Sequence, residues 1–318
     1  MEHVFPAPKV MIDELAPTIY HEKWWLDIAT GGRYECVEVI TNGKRVGWLP
    51  YFMKNKFGLK FSVPPGMTHV LGPAIDAGGG DADAQAYNRT AITRELIAKL
   101  PPAAIYNYKC QRDVTDVIAF QQEKFATSVQ FTQELAPKSA DAIWSGMRKK
   151  KRSQIRRAQE ILKASTINDP ELFWRFYEKN VSERGLPNHY KKDAVLACAE
   201  QCLLRQRGRI YAARDKDDRL TAAIWCIWDK TSAYYFMTTR SLDAHDGAVS
   251  SLLWEAVQDA MQLGLVFDFD GISSNESVAF YAGFGGRLTP RYIVTRTSGI
   301  GRLVWDLKEA RRANRYLC

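Results

Sequence analysis

The sequence of 318 residues has only six cysteines, with no Cys-x-x-Cys pair and no dense spacing. A disulfide scaffold and a zinc ribbon are therefore excluded. Cys198 and Cys202 lie four apart on an expected helix with no His or Cys at metal spacing beside them, so they read as core residues and no metal site is expected. Long apolar runs are missing as well, none approaching the roughly 18 residues of a membrane span. The N-terminus, Met1-Glu2-His3-Val4-Phe5-Pro6, has no basic segment followed by an apolar one, which reads as a cytoplasmic protein. No helix-turn-helix or zinc-finger pattern is present, which argues against DNA as a partner. A composition of 46% hydrophobic and 25% charged residues describes a globular chain, and the length suggests two domains.

The net charge of +8 is concentrated. Residues 1 to 137 carry fourteen basic and fifteen acidic side chains; residues 138 to 163 carry nine basic and two acidic ones. Seven of the eight excess charges thus fall on one short segment, expected to be a single helix over about 139 to 162. Trp144, Met147, Ile155, Ala158 and Leu162 make its apolar stripe, leaving the cations on the other faces. Such a face is either simply solvated or meets an anion: an RNA backbone, an anionic lipid or sugar-nucleotide surface, or a substrate's phosphate. Arg152 and Arg156, four apart, are the pair expected to bind substrate.

Hydrophobic period and chain breakers set out the remaining elements. Asn42-Gly43 joins strands Tyr34 to Thr41 and Arg45 to Met53 as a hairpin. A Pro/Gly-rich loop, 63 to 73, precedes a helix near 84 to 99, a strand at 103 to 110, a helix at 114 to 124 and a strand at 128 to 135. The second half offers helices near 169 to 181 and 191 to 205, then strands at 209 to 214, 220 to 228 and 232 to 239. A helix from about 249 to 263 follows, with Gly264 at its stop, then strand 265 to 269, helix 275 to 282 and strand 290 to 296. The fold class is α/β, in two domains, 1–137 and 138–318, of related topology.

Four stretches carry a family resemblance: Tyr20 to Asp27 (YHEKWWLD), Val46 to Tyr51 (VGWLPY), Arg152 to Ala158 (RSQIRRA), and Phe267 to Gly271 (FDFDG) followed by Phe280 to Gly286 (FYAGFGG). Their order resembles the tandem-GNAT acyltransferases, which include the Fem-type aminoacyltransferases and the CelD-like acyltransferases of polysaccharide operons. The resemblance implies two GNAT-like domains, each a mixed, mostly antiparallel sheet flanked by helices. It also implies acyl or aminoacyl transfer to an amine, with no tightly bound cofactor. The co-substrate would be acyl-CoA or aminoacyl-tRNA, and the acceptor a small-molecule or sugar amine.

In such domains the strand before the central helix splays from its neighbour, and the helix N-terminus receives the pyrophosphate of coenzyme A, because unpaired N–H groups and the helix dipole favour anions. Arg240, Gly247, Ala248, Val249 and Asn275 are the corresponding donor-binding positions. The glycine-rich loop is not intact there, and Asp243 and Asp246 bring two carboxylates to it. Tyr281 matches the tyrosine that protonates a leaving thiolate; otherwise it is an aromatic packing the last helix. Asp268 and Asp270 are expected on one face of a strand, with Phe267 and Phe269 on the other. Asp270, near the strand's C-terminal end, is either a catalytic base or a loop-capping carboxylate, and Asp268 is a further catalytic candidate. His69, in the Pro/Gly loop, and His189 with Tyr190, between two helices, are expected to contact substrate. A non-catalytic, anion-binding module is the reading from a different class.

Overall fold

A computed structural model describes residues 15–56, 58–272 and 274–314, with side chains described as far as 307. In chain order the first half forms α1 (Lys23–Thr30), β1 (Glu35–Thr41), β2 (Lys44–Tyr51), β3 (Met53–Lys56), β4 (Leu59–Ser62), β5 (Ala74–Ile75), α2 (Ala82–Ala98), β6 (Ile105–Lys109), α3 (Ile118–Gln122) and β7 (Ala126–Leu135). There follow α4 (Ala140–Gly146), α5 (Lys149–Ile161), β8 (Lys163–Ile167), α6 (Pro170–Glu183), α7 (Lys192–Leu204), β9 (Gly208–Arg214), β10 (Leu220–Trp228) and β11 (Ser232–Arg240). The chain ends with α8 (Ala248–Gln262), β12 (Val266–Gly271), α9 (Asn275–Ala282), β13 (Arg287–Thr297) and α10 (Ile300–Asn314).

Two compact units result. One contains Thr132–Thr289; the other contains Ile12–Phe131 together with Pro290–Cys318. The boundaries fall inside β7 and β13, so the last strand and helix group with the first part of the chain and not with the residues that immediately precede them.

In the 132–289 unit the strand order is β7, β12, β11, β10, β9, β8. The β8 to β11 meander is antiparallel, and β11 and β12, joined through α8, are parallel. Phe267 and Phe269 are fully buried, their ring centroids 5.0 Å apart, beneath Leu252, Leu253, Ala256 and Val257 of α8. The expected apolar face of this strand is therefore present, and Gly264, at φ +69°, follows the C-cap of α8 in the left-handed conformation that a helix stop requires. At the start of α6, Asp169 accepts from the Glu171 amide and Pro170 occupies the first turn.

In the other unit, β1, β2 and β5 form one antiparallel sheet, and β3, β4, β6 and β13 another in which only β4 and β6 run parallel. Asn42 (φ +51°) and Gly43 (φ +76°) make the expected hairpin turn. His21 is buried with both ring nitrogens engaged: Nε2 donates to the Gly72 carbonyl, so Nδ1 accepts from the Thr18 hydroxyl.

The single helix expected over 139 to 162 is two helices. Met147 and Arg148 adopt extended ψ values of 150° and 139°, and the Arg148 amide donates to the Gly283 carbonyl instead of continuing the helix. The short strands β3, β4 and β8 were not legible as alternating patterns. After the last expected strand the chain forms one more helix, α10, which begins at Ile300. Phe267→Ala should destabilise the protein by about 3–5 kcal/mol, since the site is enclosed on all sides; urea denaturation measures it.

Candidate active site

The ladder between β11 and β12 runs only from the pair Ser232 and Val266 to the pair Tyr234 and Asp268. Beyond it the strands part, and a cleft of about 680 Å³ opens in the 132–289 unit. Its walls come from α6 (Tyr177, Asn180, Arg184), β11 (Tyr235, Thr239, Arg240), the start of α8 (Asp246, Val249) and α9 (Glu276, Phe280, Tyr281), with Gln154 of α5.

Asn180 is 1% exposed; its Nδ2 donates to the Phe176 carbonyl (2.8 Å) and to Thr239 Oγ1 (3.0 Å), which fixes the amide on the cleft wall. Burial pushes the Tyr281 hydroxyl up to about 12, with Asp270 and Asp268 adding in the same direction. It stays protonated across the physiological range and can donate a proton. The ring packs on Phe269 (5.1 Å) and Tyr235 (6.3 Å), so aromatic packing and exposure to the cleft coexist in one side chain.

Asp268 and Asp270 do not continue a simple alternation. The register with β7 shifts between Asp268 and Gly271, and Asp270 adopts φ +65°. Asp268 is buried and accepts from the Asp270 amide (2.8 Å) and from the Thr132 hydroxyl, which also lies 2.5 Å from the Asp270 carbonyl. Asp268 thus shapes the bulge. Asp270 is half-buried, and its charge acts on both Tyr281 and Tyr190.

Tyr190 packs edge-on against Tyr177 (6.1 Å) and burial pushes its hydroxyl up to about 12, whereas His189 is exposed. His69 belongs to the other unit, where its ring stacks on Tyr20 at 5.6 Å. It is not among the residues that line the cleft.

Arg240 and Val249 line the cleft, and Ala248 is fully buried in the first turn of α8. Gly247 is a contact glycine: a Cβ there would meet the Gln154 carbonyl at 2.6 Å and the Ala158 Cβ at 3.0 Å. Asn275 is exposed, and the cap of α9 is Ser274 with Ser277. Of the two loop carboxylates, Asp243 is held by Arg219 at 2.7 Å, while Asp246 lines the cleft.

Arg152 and Arg156 have partners within the protein. Nη1 of Arg152 lies within hydrogen-bond distance of the carbonyls of Trp144 (3.3 Å), Ser145 (2.8 Å) and Met147 (2.8 Å), capping the C-terminus of α4. Arg156 lies over the Trp144 ring at 5.4 Å. The pair grips α4, a role that arises because the expected single helix is broken.

Lys151, absent from the expected site residues, is buried. Its ammonium donates to Ser250 Oγ (3.0 Å) and sits 3.9 Å from the Phe280 ring centroid and 4.7 Å from that of Phe284. Burial lowers its pKa to about 8, with Asp246 acting in the opposite direction. Two observations in the sequence point to it: position 151 is four after Met147 and four before Ile155, on the apolar stripe. Among the described residues no group of three or more His, Cys, Asp or Glu could hold a metal ion, and no helix is long and apolar enough to cross a membrane.

Residues 145–276 match the family described as an acetyltransferase (GNAT) domain. Among solved structures, FemX superposes with a TM-score of 0.66 at 10% identity, over 90% of this chain and 93% of that one. The C-terminal domain assigned to a lysylphosphatidylglycerol synthetase from Agrobacterium fabrum gives 0.56 at 11% identity, over 89% and 90%. L-PGS from Bacillus licheniformis gives 0.52 at 11%, over 86% and 87%. No curated protein matches the sequence. The likeness to FemX is one of fold, and the segment that matches the GNAT domain lies in the part of the chain that holds the cleft.

Lys151 yields a test. Its folded pKa lies below the unfolded value of about 10.4, so between pH 8 and that value the unfolded state binds more protons and stability rises with pH. Urea denaturation at stepped pH should show wild type gaining stability relative to Lys151→Met over this window.

Proposed function

We propose that the protein is an acyltransferase that acts in the cleft beside the C-terminal end of β11, moving an acyl group from a coenzyme A thioester to an amine of a small molecule or sugar. The observation that carries this reading is that Tyr281, Arg240 and the first turn of α8 meet in one cleft, inside the segment that matches the GNAT domain.

The amine nitrogen attacks the thioester carbonyl carbon. The C–N bond forms, the C–S bond breaks, and the departing thiolate takes the proton of the Tyr281 hydroxyl. The proton lost by the amine passes to the Asp270 carboxylate, directly or through water. The Val249 amide, in the first turn of α8, would hold the donor's phosphates with Arg240 beside it, since the amides of Gly247 and Ala248 donate to His245. Asp270 and Asp268 act on Tyr281 together with burial, keeping its proton in place until the thiolate forms.

A second donor, aminoacyl-tRNA, is favoured by one observation. Arg148, Lys149, Lys150, Arg156 and Arg157 are exposed on or beside α5, whose Gln154 lines the cleft. In that case the bond broken is the ester C–O bond, and Tyr281 protonates the leaving ribose oxygen.

The donors separate in a transfer assay that supplies labelled acyl-CoA or charged tRNA with a panel of amines. Transfer from the thioester should fall about 100-fold or more in kcat in Tyr281→Phe, with folding intact. Asp270→Asn should also lower kcat and leave a residual rate that rises with pH as the amine loses its proton to solvent; unchanged turnover in both variants would overturn the reading. If tRNA is the donor, affinity should rise steeply as salt is lowered, and Lys149→Gln/Lys150→Gln should flatten that dependence by about 1 to 2 phosphate contacts. Filter binding across salt concentrations measures it.

A further inference from the structure

The opening of a cleft between two parallel strands occurs a second time, in the other unit. There β4 and β6 are parallel and connected through α2, as β11 and β12 are through α8. Their ladder is also short, pairing Phe61 with Ile105 and Ser62 with Tyr106. It stops because Pro64 and Pro65 have no N–H to contribute. The chain then makes an excursion and returns when the Leu71 amide donates to the Lys109 carbonyl at 2.7 Å. Beside this excursion a groove of about 900 Å³ lies over β6, β13, the start of β7 and α10, within the size range of small-molecule sites.

The chemistry of this groove is polar where a structural gap would be apolar. On the β6 and β13 pair, Tyr106, Tyr108 and Val294 face the core, while Asn107, Lys109 and Thr295 face the groove. Asn107 Nδ2 donates to Thr295 Oγ1 (2.8 Å), which orders that surface. Lys124, from the turn before β7, and Arg302, from α10, add two further cations, and Trp305 supplies an aromatic wall. One carboxylate lines it, Asp306, at 4.0 Å from Arg302. Three cations against one anion, with amide and hydroxyl groups and an indole, suit a phosphorylated ligand with a ring to lay on Trp305.

We propose that the groove over β6, β13 and the start of β7, walled by the segment after β4 and by α10, is a second ligand site that takes a phosphorylated small molecule, a nucleotide or a sugar phosphate. Lys109, Lys124 and Arg302 bind the phosphate, Asn107 and Thr295 bind hydroxyl groups, and Trp305 carries the ring. The site lies wholly within its own unit and does not depend on acyl transfer in the cleft.

Calorimetry of the full chain at low salt, with inorganic pyrophosphate, a nucleoside diphosphate and a hexose 6-phosphate, tests it. At least one organic phosphate should bind, and Lys109→Gln/Arg302→Gln should weaken it about tenfold or more. Trp305→Ala should weaken the organic phosphate while leaving pyrophosphate unchanged. A nucleoside diphosphate binding more tightly than the hexose phosphate assigns a nucleotide; the reverse order assigns a sugar phosphate. Arg240→Gln, in the other cleft, should leave this binding intact. Should the double variant fail to fold, Lys124→Gln, at an exposed turn, reports the same loss. Absence of binding by every phosphate in Arg240→Gln, or binding that survives when Lys109→Gln/Arg302→Gln is added to that variant, would overturn the proposal, whatever the transfer assay shows.

Discussion

A parallel pair of strands that hydrogen-bonds over three residues and then separates is the constraint from which the chemistry of the 132–289 unit follows. Two strands leaving a shared ladder must satisfy their backbone groups elsewhere and expose a gap at their C-terminal ends. Here the separation is fixed from one side by the bulge at Asp270, held by Asp268 and Thr132. From the other side, Asn180 of α6 binds Thr239 of β11 and keeps the helix on the departing strand. Remove these contacts and the gap would have no defined width.

The floor of this gap rests on a buried cation. An ammonium without an ion-pair carboxylate is costly to bury, yet Lys151 has a hydroxyl and two aromatic faces as partners, and its stem is packed so closely that a Cβ on Gly283 would meet Cε at 2.7 Å. It therefore ties α5 to α8 through Ser250, to α9 through Phe280 and to the turn after α9 through Phe284. The same α9 carries Tyr281. Electrostatics and packing are thus joined in one side chain, and the orientation of the candidate acid depends on a residue that does not touch the leaving group.

Elements that satisfy local rules were legible in the sequence: the Asn42-Gly43 turn, the stop at Gly264, and the alternation that buries Phe267 and Phe269. What escaped was set by tertiary partners. Met147 and Arg148 leave the helix because Gly283 offers a carbonyl from far along the chain, and once α4 ends there, Arg152 is drawn to its unpaired carbonyls. Arg240, Val249 and Tyr281 could be placed by resemblance, and all three line one cleft. Asn180 and Arg184 could not, because a charged or amide side chain in a helix gives no sign of what it will meet; Lys151 was visible only as a position on the apolar stripe, not by the hydroxyl and rings it meets there. Asp270 was visible as a carboxylate at a strand end, but its left-handed backbone depends on the pairing of β12 with β7.

The unit boundary inside β13 bears on how the chain is made. The segment of this strand from Ile293 to Thr297 pairs with β6, nearly two hundred residues earlier. A ribosome therefore releases all of 132–289 before it releases the strand that finishes the sheet of the N-terminal part. Domains are ordinarily completed in the order of synthesis; here the earlier part must wait, its β6 edge unpaired, while the later one closes first. That waiting edge, with Tyr106 and Tyr108 on its core face, is where a nascent chain of this protein is most exposed to wrong pairing and most in need of a chaperone.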